Sequence, residues 1–80
     1  MSPETHSAVH VVLPAYNEEA AIEQLLRDIC LSMAEYAPHQ RVEILVVDDG
    51  SADRTAELVE RFRDSADRSA FPRASVRLLR

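Results

Sequence analysis

Two short runs of mainly β-branched residues, VHVVL at 9–13 and VEILVV at 42–47, constrain this chain more than anything else in it. Each is followed by a polar, acidic junction and then by apolar residues at helical spacing. A short apolar run bounded by turn residues reads as a buried strand, and apolar positions recurring at three and four residues read as one face of a helix. After the first run the stripe is Ile22, Leu25, Leu26, Ile29 and Met33, which predicts a helix from about residue 17 to about residue 34, with Pro38 closing the connection. After the second run the inner face is Thr55, Leu58, Val59 and Phe62, and a third short run follows at 76–79. The order is β-α-β-α-β. Crossovers of this length permit parallel pairing, so the expected fold is α/β with a three-layer parallel sheet in which strands 9–13 and 42–47 are neighbours, the first of them buried on both faces.

Composition narrows the function. The chain has 80 residues, enough for one domain at most. Its net charge of −5 argues against a nucleic-acid partner, which needs a basic stripe. The nine basic residues are all arginine. A single cysteine, Cys30, rules out an internal disulfide or a multi-cysteine metal site, and its place in the helical stripe suits a buried thiol. His6, His10 and His39 have no helical pairing and no adjacent carboxylate in sequence, so none is assigned as a metal ligand. The first eight residues read as a polar leader without the apolar core of a signal peptide, and no run approaches the length of a spanning helix. A cytoplasmic location is expected.

The chemistry is expected where the strands end. In open parallel sheets ligands bind outside the carboxyl ends of the strands. Pro14-Ala-Tyr-Asn-Glu18 and Asp48-Asp-Gly-Ser51 both stand at such ends. Tyr16 can stack on a flat ring, and Asp49 can accept a base N–H or ribose hydroxyls. The single glycine, Gly50, excludes a G-x-G-x-x-G or Walker loop, so a nucleotide here is held by base and sugar rather than by a phosphate cradle. Plainer roles stand beside these. Pro14 can end a strand, since it has no N–H for a ladder. Tyr16 can be a half-buried packing residue. Asn17 can cap the first helix, with Glu18 and Glu19 as charges in its first turn. Ser51 or Asp53 can cap the second. The adjacent carboxylates of Asp48 and Asp49 repel each other, so a ligand or buried hydrogen bonds must compensate.

VVLPAYNEE at 11–19, then VEILVVDDGS at 42–51 with Asp53-Arg-Thr55, resembles the opening of the family 2 glycosyltransferases of the GT-A fold, closest to the polyprenyl-phosphate type such as dolichol-phosphate mannose synthase. The resemblance covers residues 9 to about 60. It implies a Rossmann-like sheet, the nucleotide-binding half of a GT-A domain. It also implies a nucleotide-sugar site in which Pro14, Tyr16, Glu18, Val47 and Asp49 contact the nucleotide while Asn17, Asp48 and Ser51 support them. The donor implied is UDP- or GDP-linked. The acceptor stays open, with a lipid-linked phosphate among the candidates and a membrane-associated parent as its corollary. The family's D-x-D metal motif and its catalytic base follow later strands. Asp64 and Asp67 precede the third strand and do not match that motif. No catalytic or metal-binding residue is therefore assigned in this chain, and no cofactor is expected on it alone. A divalent cation, Mg or Mn, belongs to the full-length parent. Residues 9–80 read as the N-terminal part of a longer transferase domain, and the 80 residues alone are expected to be inactive.

Two other readings fit part of the pattern. A receiver-like signalling domain also carries a strand ending in an acidic pair, but places that pair after its first strand. Here it follows the second, and the third strand runs into Arg77 and Arg80 without an aspartate. A non-catalytic binding fragment would share the ancestry but lack the activity.

Overall fold

The computed structural model describes residues 8–65 and 69–80. The expected leader up to Ser7, together with His6 and Asp67, lies outside the described residues. Strands β1 (Ala8–Ala15), β2 (Arg41–Asp48) and β3 (Ala74–Leu79) alternate with helices α1 (Ile22–Tyr36) and α2 (Thr55–Arg63). The strands form one parallel sheet in the order β1-β2-β3. This is the Rossmann-like arrangement expected from the alternation of periods, with strands two to three residues longer than the apolar runs. The flanking residues still pair: Ala8 lies opposite Arg41, and Ala15 opposite Asp48.

Pro14 does not end β1 as expected but lies inside it, opposite Val47. The reason is the ladder's alternation. The Ala15 C=O accepts the Asp49 N–H at 3.0 Å, so Ala15 turns its backbone groups toward β2 and Pro14 turns its own toward the outer edge, where a missing N–H breaks no bond.

Both helices pack on one face of the sheet. Two successive crossovers of one hand, moving the same way across a sheet, deliver their helices to the same side. On that side Val42, Ile44 and Val46 of β2 and Ala74 and Val76 of β3 meet Ile22, Leu26 and Cys30 of α1 and Leu58, Val59 and Phe62 of α2. Cys30 is buried, as its place in the stripe implies. A 3.5 Å ion pair, Arg61 to Glu23, ties the outer surfaces of the two helices together.

The described residues thus supply two of the three expected layers. The other sheet face carries His10, Val12 and Pro14, then Glu43, Leu45 and Val47, then Ser75, Arg77 and Leu79. Val12 is 64% exposed and Leu79 54%. The expectation that the first strand is buried on both faces is corrected accordingly, because nothing among the described residues covers this side.

The helix starts also differ from expectation. Residues 18–21 form a turn in which the Glu18 C=O accepts the N–H groups of Ala21 and Ile22 at 3.0 and 2.9 Å, and α1 begins only at Ile22. Glu18 and Glu19 therefore precede the helix, and the acidic residue of its first turn is Glu23.

Removing Leu26, fully buried in α1, should leave a cavity between helix and sheet. Leu26→Ala is expected to cost about 2–5 kcal/mol. Leu31→Ala, at a position of the same helix that is 51% exposed, should cost about 1 kcal/mol or less. Urea unfolding of the two variants measures the contrast, and equal shifts would contradict the buried stripe.

Candidate functional site

The β1–β2 register brings two loops to the same level. The last strand pair is Ala15 with Asp48, and the Asp49 N–H to Ala15 C=O bond carries the pairing one step further. Successive residues of a strand face opposite ways. Ala15 and Asp48 turn under the helices and are buried, whereas Pro14 and Val47 lie side by side on the open face. Beyond them Tyr16 is 59% exposed, and Asp49 is exposed.

The alternation resolves the conflict within the acidic pair. Asp48 is only 4% exposed. Its Oδ1 accepts the Ser51 N–H at 3.0 Å, closing a turn over Gly50, which takes the left-handed φ of +78° that an L side chain resists. Its Oδ2 has no hydrogen-bond partner among the described residues, and the Arg80 guanidinium stands 3.8 Å away. The Ser51 hydroxyl and N–H hold the Asp48 carboxyl below its ordinary 3.8. Burial opposes them, and the Arg80 charge adds to their effect. The Asp49 carboxylate, by contrast, makes no hydrogen bond or ion pair among the described residues, and the same holds for the Glu18 carboxylate and the Tyr16 hydroxyl.

Between the two loops runs a clasp that the sequence reading did not foresee. Asn17, at φ +52°, donates its N–H to Ser51 Oγ at 2.8 Å, and its Oδ1 accepts the Ala52 N–H at 2.9 Å. The Glu18 N–H reaches Thr55 Oγ1 at 2.8 Å, and the Glu19 N–H reaches Asp53 Oδ2 at 3.1 Å. Asp53 Oδ1 accepts both the hydroxyl and the N–H of Thr55, the latter at 3.0 Å. The Glu19 side chain completes the exchange with a long 3.5 Å bond from the Arg54 N–H.

Three expectations are corrected here. Asn17 does not cap α1; it bridges to the loop after β2. Ser51 does not cap α2; its hydroxyl serves Asn17. Glu19 is not a helix-start charge but a member of the clasp. Asp53 does act at the start of α2, through Thr55. The overlooked signal was Ser51, Asp53 and Thr55 at alternate positions: three short oxygen-bearing side chains facing three consecutive N–H groups that no helix or strand satisfies.

The strand-end site is an open shelf. A half-open pocket of about 200 Å³ lies elsewhere, lined by Cys30, Met33, Ala37, Val42, Phe71 and Pro72 among others. His10, without a carboxylate near it in sequence, has one in space: Glu43 lies opposite it in the register, with Nδ1 to Oε1 at 3.4 Å.

A parallel α/β sheet with an aspartate-closed turn after β2 and a polar clasp joining the loops after β1 and β2 defines the class: this is the Rossmann-like half of a GT-A fold. The chain belongs to Glycosyl transferase family 2, whose profile matches residues 10–78. Membership removes the receiver-domain alternative. Among its relatives are a probable glycosyltransferase, YdaM, of Bacillus subtilis, 42% identical over 59 residues, covering 74% of this chain and 13% of the relative. The undecaprenyl-phosphate 4-deoxy-4-formamido-L-arabinose transferase of Pseudomonas aeruginosa is 45% identical over 60 residues, covering 75% and 17%. That of Pseudomonas savastanoi is 39% identical over 80 residues, covering 100% and 22%. The chain therefore spans less than a quarter of the length of these relatives. No solved structure matches it significantly.

Bonds to Thr55 and Glu19 also hold Asp53 below its ordinary 3.8, the Thr55 hydroxyl contributing most. A carboxyl lowered by folding stabilises the fold above its unfolded value, and that contribution disappears as pH falls through the lower folded value. The difference in melting temperature between the parent and Asp53→Asn is therefore expected to be present at neutral pH and to shrink below about pH 4. A gap of constant size from pH 7 to pH 3, followed by circular dichroism, would contradict the role given to the Asp53 carboxylate.

Proposed function

We propose that the loops after β1 and β2 form one wall of a nucleotide site, and that the protein carrying this sequence transfers a sugar from a UDP- or GDP-linked donor with inversion. The observation that carries the reading is the division within the acidic pair. Asp48 is spent on the turn, while Asp49 is exposed and unengaged among the described residues, beyond the apolar shelf of Pro14 and Val47. An unengaged carboxylate accepts N–H or O–H groups, an exposed phenol ring stacks on a base, and two apolar residues pack against a ring edge. The Glu18 carboxylate, also unengaged, is a further nucleotide contact in this reading. Family membership supports the donor class.

The reaction proposed for the parent is a single displacement. The acceptor oxygen attacks the anomeric carbon from the side opposite the nucleotide, the bond to the diphosphate oxygen breaks, and the nucleoside diphosphate leaves with the electron pair. A divalent cation, Mg or Mn, is proposed to assist the leaving group in the parent. Among the described residues no three His, Cys, Asp or Glu side chains group as a ligand set. The relatives named as undecaprenyl-phosphate transferases favour a polyprenyl phosphate as acceptor. Such an acceptor resides in a membrane, which makes the parent a membrane-associated enzyme working from the cytoplasmic side. No helix among the described residues is long and apolar enough to cross a membrane.

The assignment turns on Asp49. Asp49→Asn keeps the shape but replaces one acceptor oxygen with a donor. A charge-assisted bond of roughly 1.5–3 kcal/mol is then lost. Calorimetric titration of the intact protein with UDP and GDP is expected to give a Kd raised roughly 10- to 100-fold for the nucleotide that the parent prefers. Unchanged affinity would return Asp49 to the role of a turn residue.

A further inference from the structure

We propose that Thr55, backed by Asp53, is a positioning residue of the nucleotide site: it never meets the ligand and fixes the height of the β1–α1 loop on which Tyr16 and Glu18 stand. The inference rests on the nucleotide reading above and deepens it. Thr55 is 0% exposed, so no ligand reaches it. It occupies the first turn of α2, on the same buried face as Leu58, Val59 and Phe62. On that face a hydroxyl is tolerated only when bonded, and here it is bonded on both sides. Oγ1 accepts the Glu18 N–H at 2.8 Å and donates to Asp53 Oδ1, while Asp53 Oδ2 holds the next N–H, that of Glu19.

Two consecutive peptide groups of the loop thus hang from one helix start. Two side chains of the same stretch are unengaged: the Glu18 carboxylate makes no hydrogen bond or ion pair among the described residues, and Tyr16 is exposed. The grip is on the backbone, and the freedom is in the groups that would touch a nucleotide. Asn17 adds to the clasp one residue earlier, but its bonds are made at an exposed position where water competes. Thr55 is the buried member, which water does not replace. Without its hydroxyl the Glu18 N–H has no acceptor and the loop must move to find one. Displacing a loop by a fraction of an ångström weakens every contact made from it.

The test separates positioning from plain stability. Thr55→Val keeps the volume and removes the hydroxyl, whereas Thr55→Ser keeps the hydroxyl and removes a methyl group. In the intact protein, titrated calorimetrically with UDP and GDP, Thr55→Val is expected to raise Kd on the order of tenfold, and Thr55→Ser to restore it to within about threefold of the parent. Melting temperatures are recorded alongside, and affinity is expected to follow the hydroxyl rather than the melting temperature. A folded Thr55→Val that binds as tightly as the parent overturns the proposal. So does a Thr55→Ser that binds as weakly as Thr55→Val, since the hydroxyl would then be irrelevant. If Thr55→Val does not fold, Asp53→Asn decides in its place: it leaves the buried face intact, should weaken binding severalfold, and overturns the proposal if it does not. A parent that binds neither nucleotide removes the nucleotide reading itself, and this inference with it. A parent that binds while Thr55→Val is silent removes only the inference.

Discussion

Everything at the candidate site depends on the parallel pairing of β1 with β2. Because both strands run the same way and end at the same level, the two loops that leave them are neighbours although their residues lie more than thirty positions apart in the chain. The pairing also fixes direction. With side chains alternating at every residue, Ala15 and Asp48 must lie under the helices if Pro14 and Val47 lie on the open face. A buried, hydrogen-bonded aspartate and an exposed, unengaged one are thus produced by a single geometric rule acting on two adjacent residues. Their mutual repulsion is relieved the same way, by facing apart and by the Ser51 and Arg80 groups around Asp48.

The packing of both helices on one side has a second effect. It gathers the apolar area of α1 and α2 over β2 and β3, and places the start of α2 directly beside the loop that precedes α1. The core and the site therefore share a member. Thr55 belongs to the buried stripe by its position and to the clasp by its hydroxyl. Where hydrophobic burial fixes a helix and that helix presents an oxygen to a neighbouring loop, the rigidity of the core passes to a loop that has little packing of its own.

The order of elements, the parallel sheet and the buried stripes were legible in the sequence because they follow from periodicity, which is local. Ile22, Leu26 and Cys30 announce their face through spacing alone, and so do Val42, Ile44 and Val46. Asn17 and Ser51 were misread for the complementary reason. A short polar side chain beside a helix start has a near partner in its own loop and a distant one in the next, and the chain in one dimension displays only the near one. Pro14 was misread because whether a missing N–H matters depends on which way the peptide faces, and that is set by the partner strand. The pairing of His10 with Glu43 is of the same kind. The uncovered face was hidden too: VHVVL reads as a strand apolar on both sides, and which sides are covered is decided by where the crossovers land.

The clasp holds residues 17–19 chiefly by their peptide N–H groups, with the Asn17 amide as an added hook, and leaves the side chains at 16 and 18 outside the grip. A frame of this kind is indifferent to its lining. If the shelf is the nucleotide wall proposed above, substitutions at positions 16 and 18 alter what it prefers without loosening it, and a lineage can explore new ligands there while the clasp stays intact. Substitutions at 53 and 55 do the reverse. The same few residues thus divide into a part open to variation and a part that makes the variation survivable.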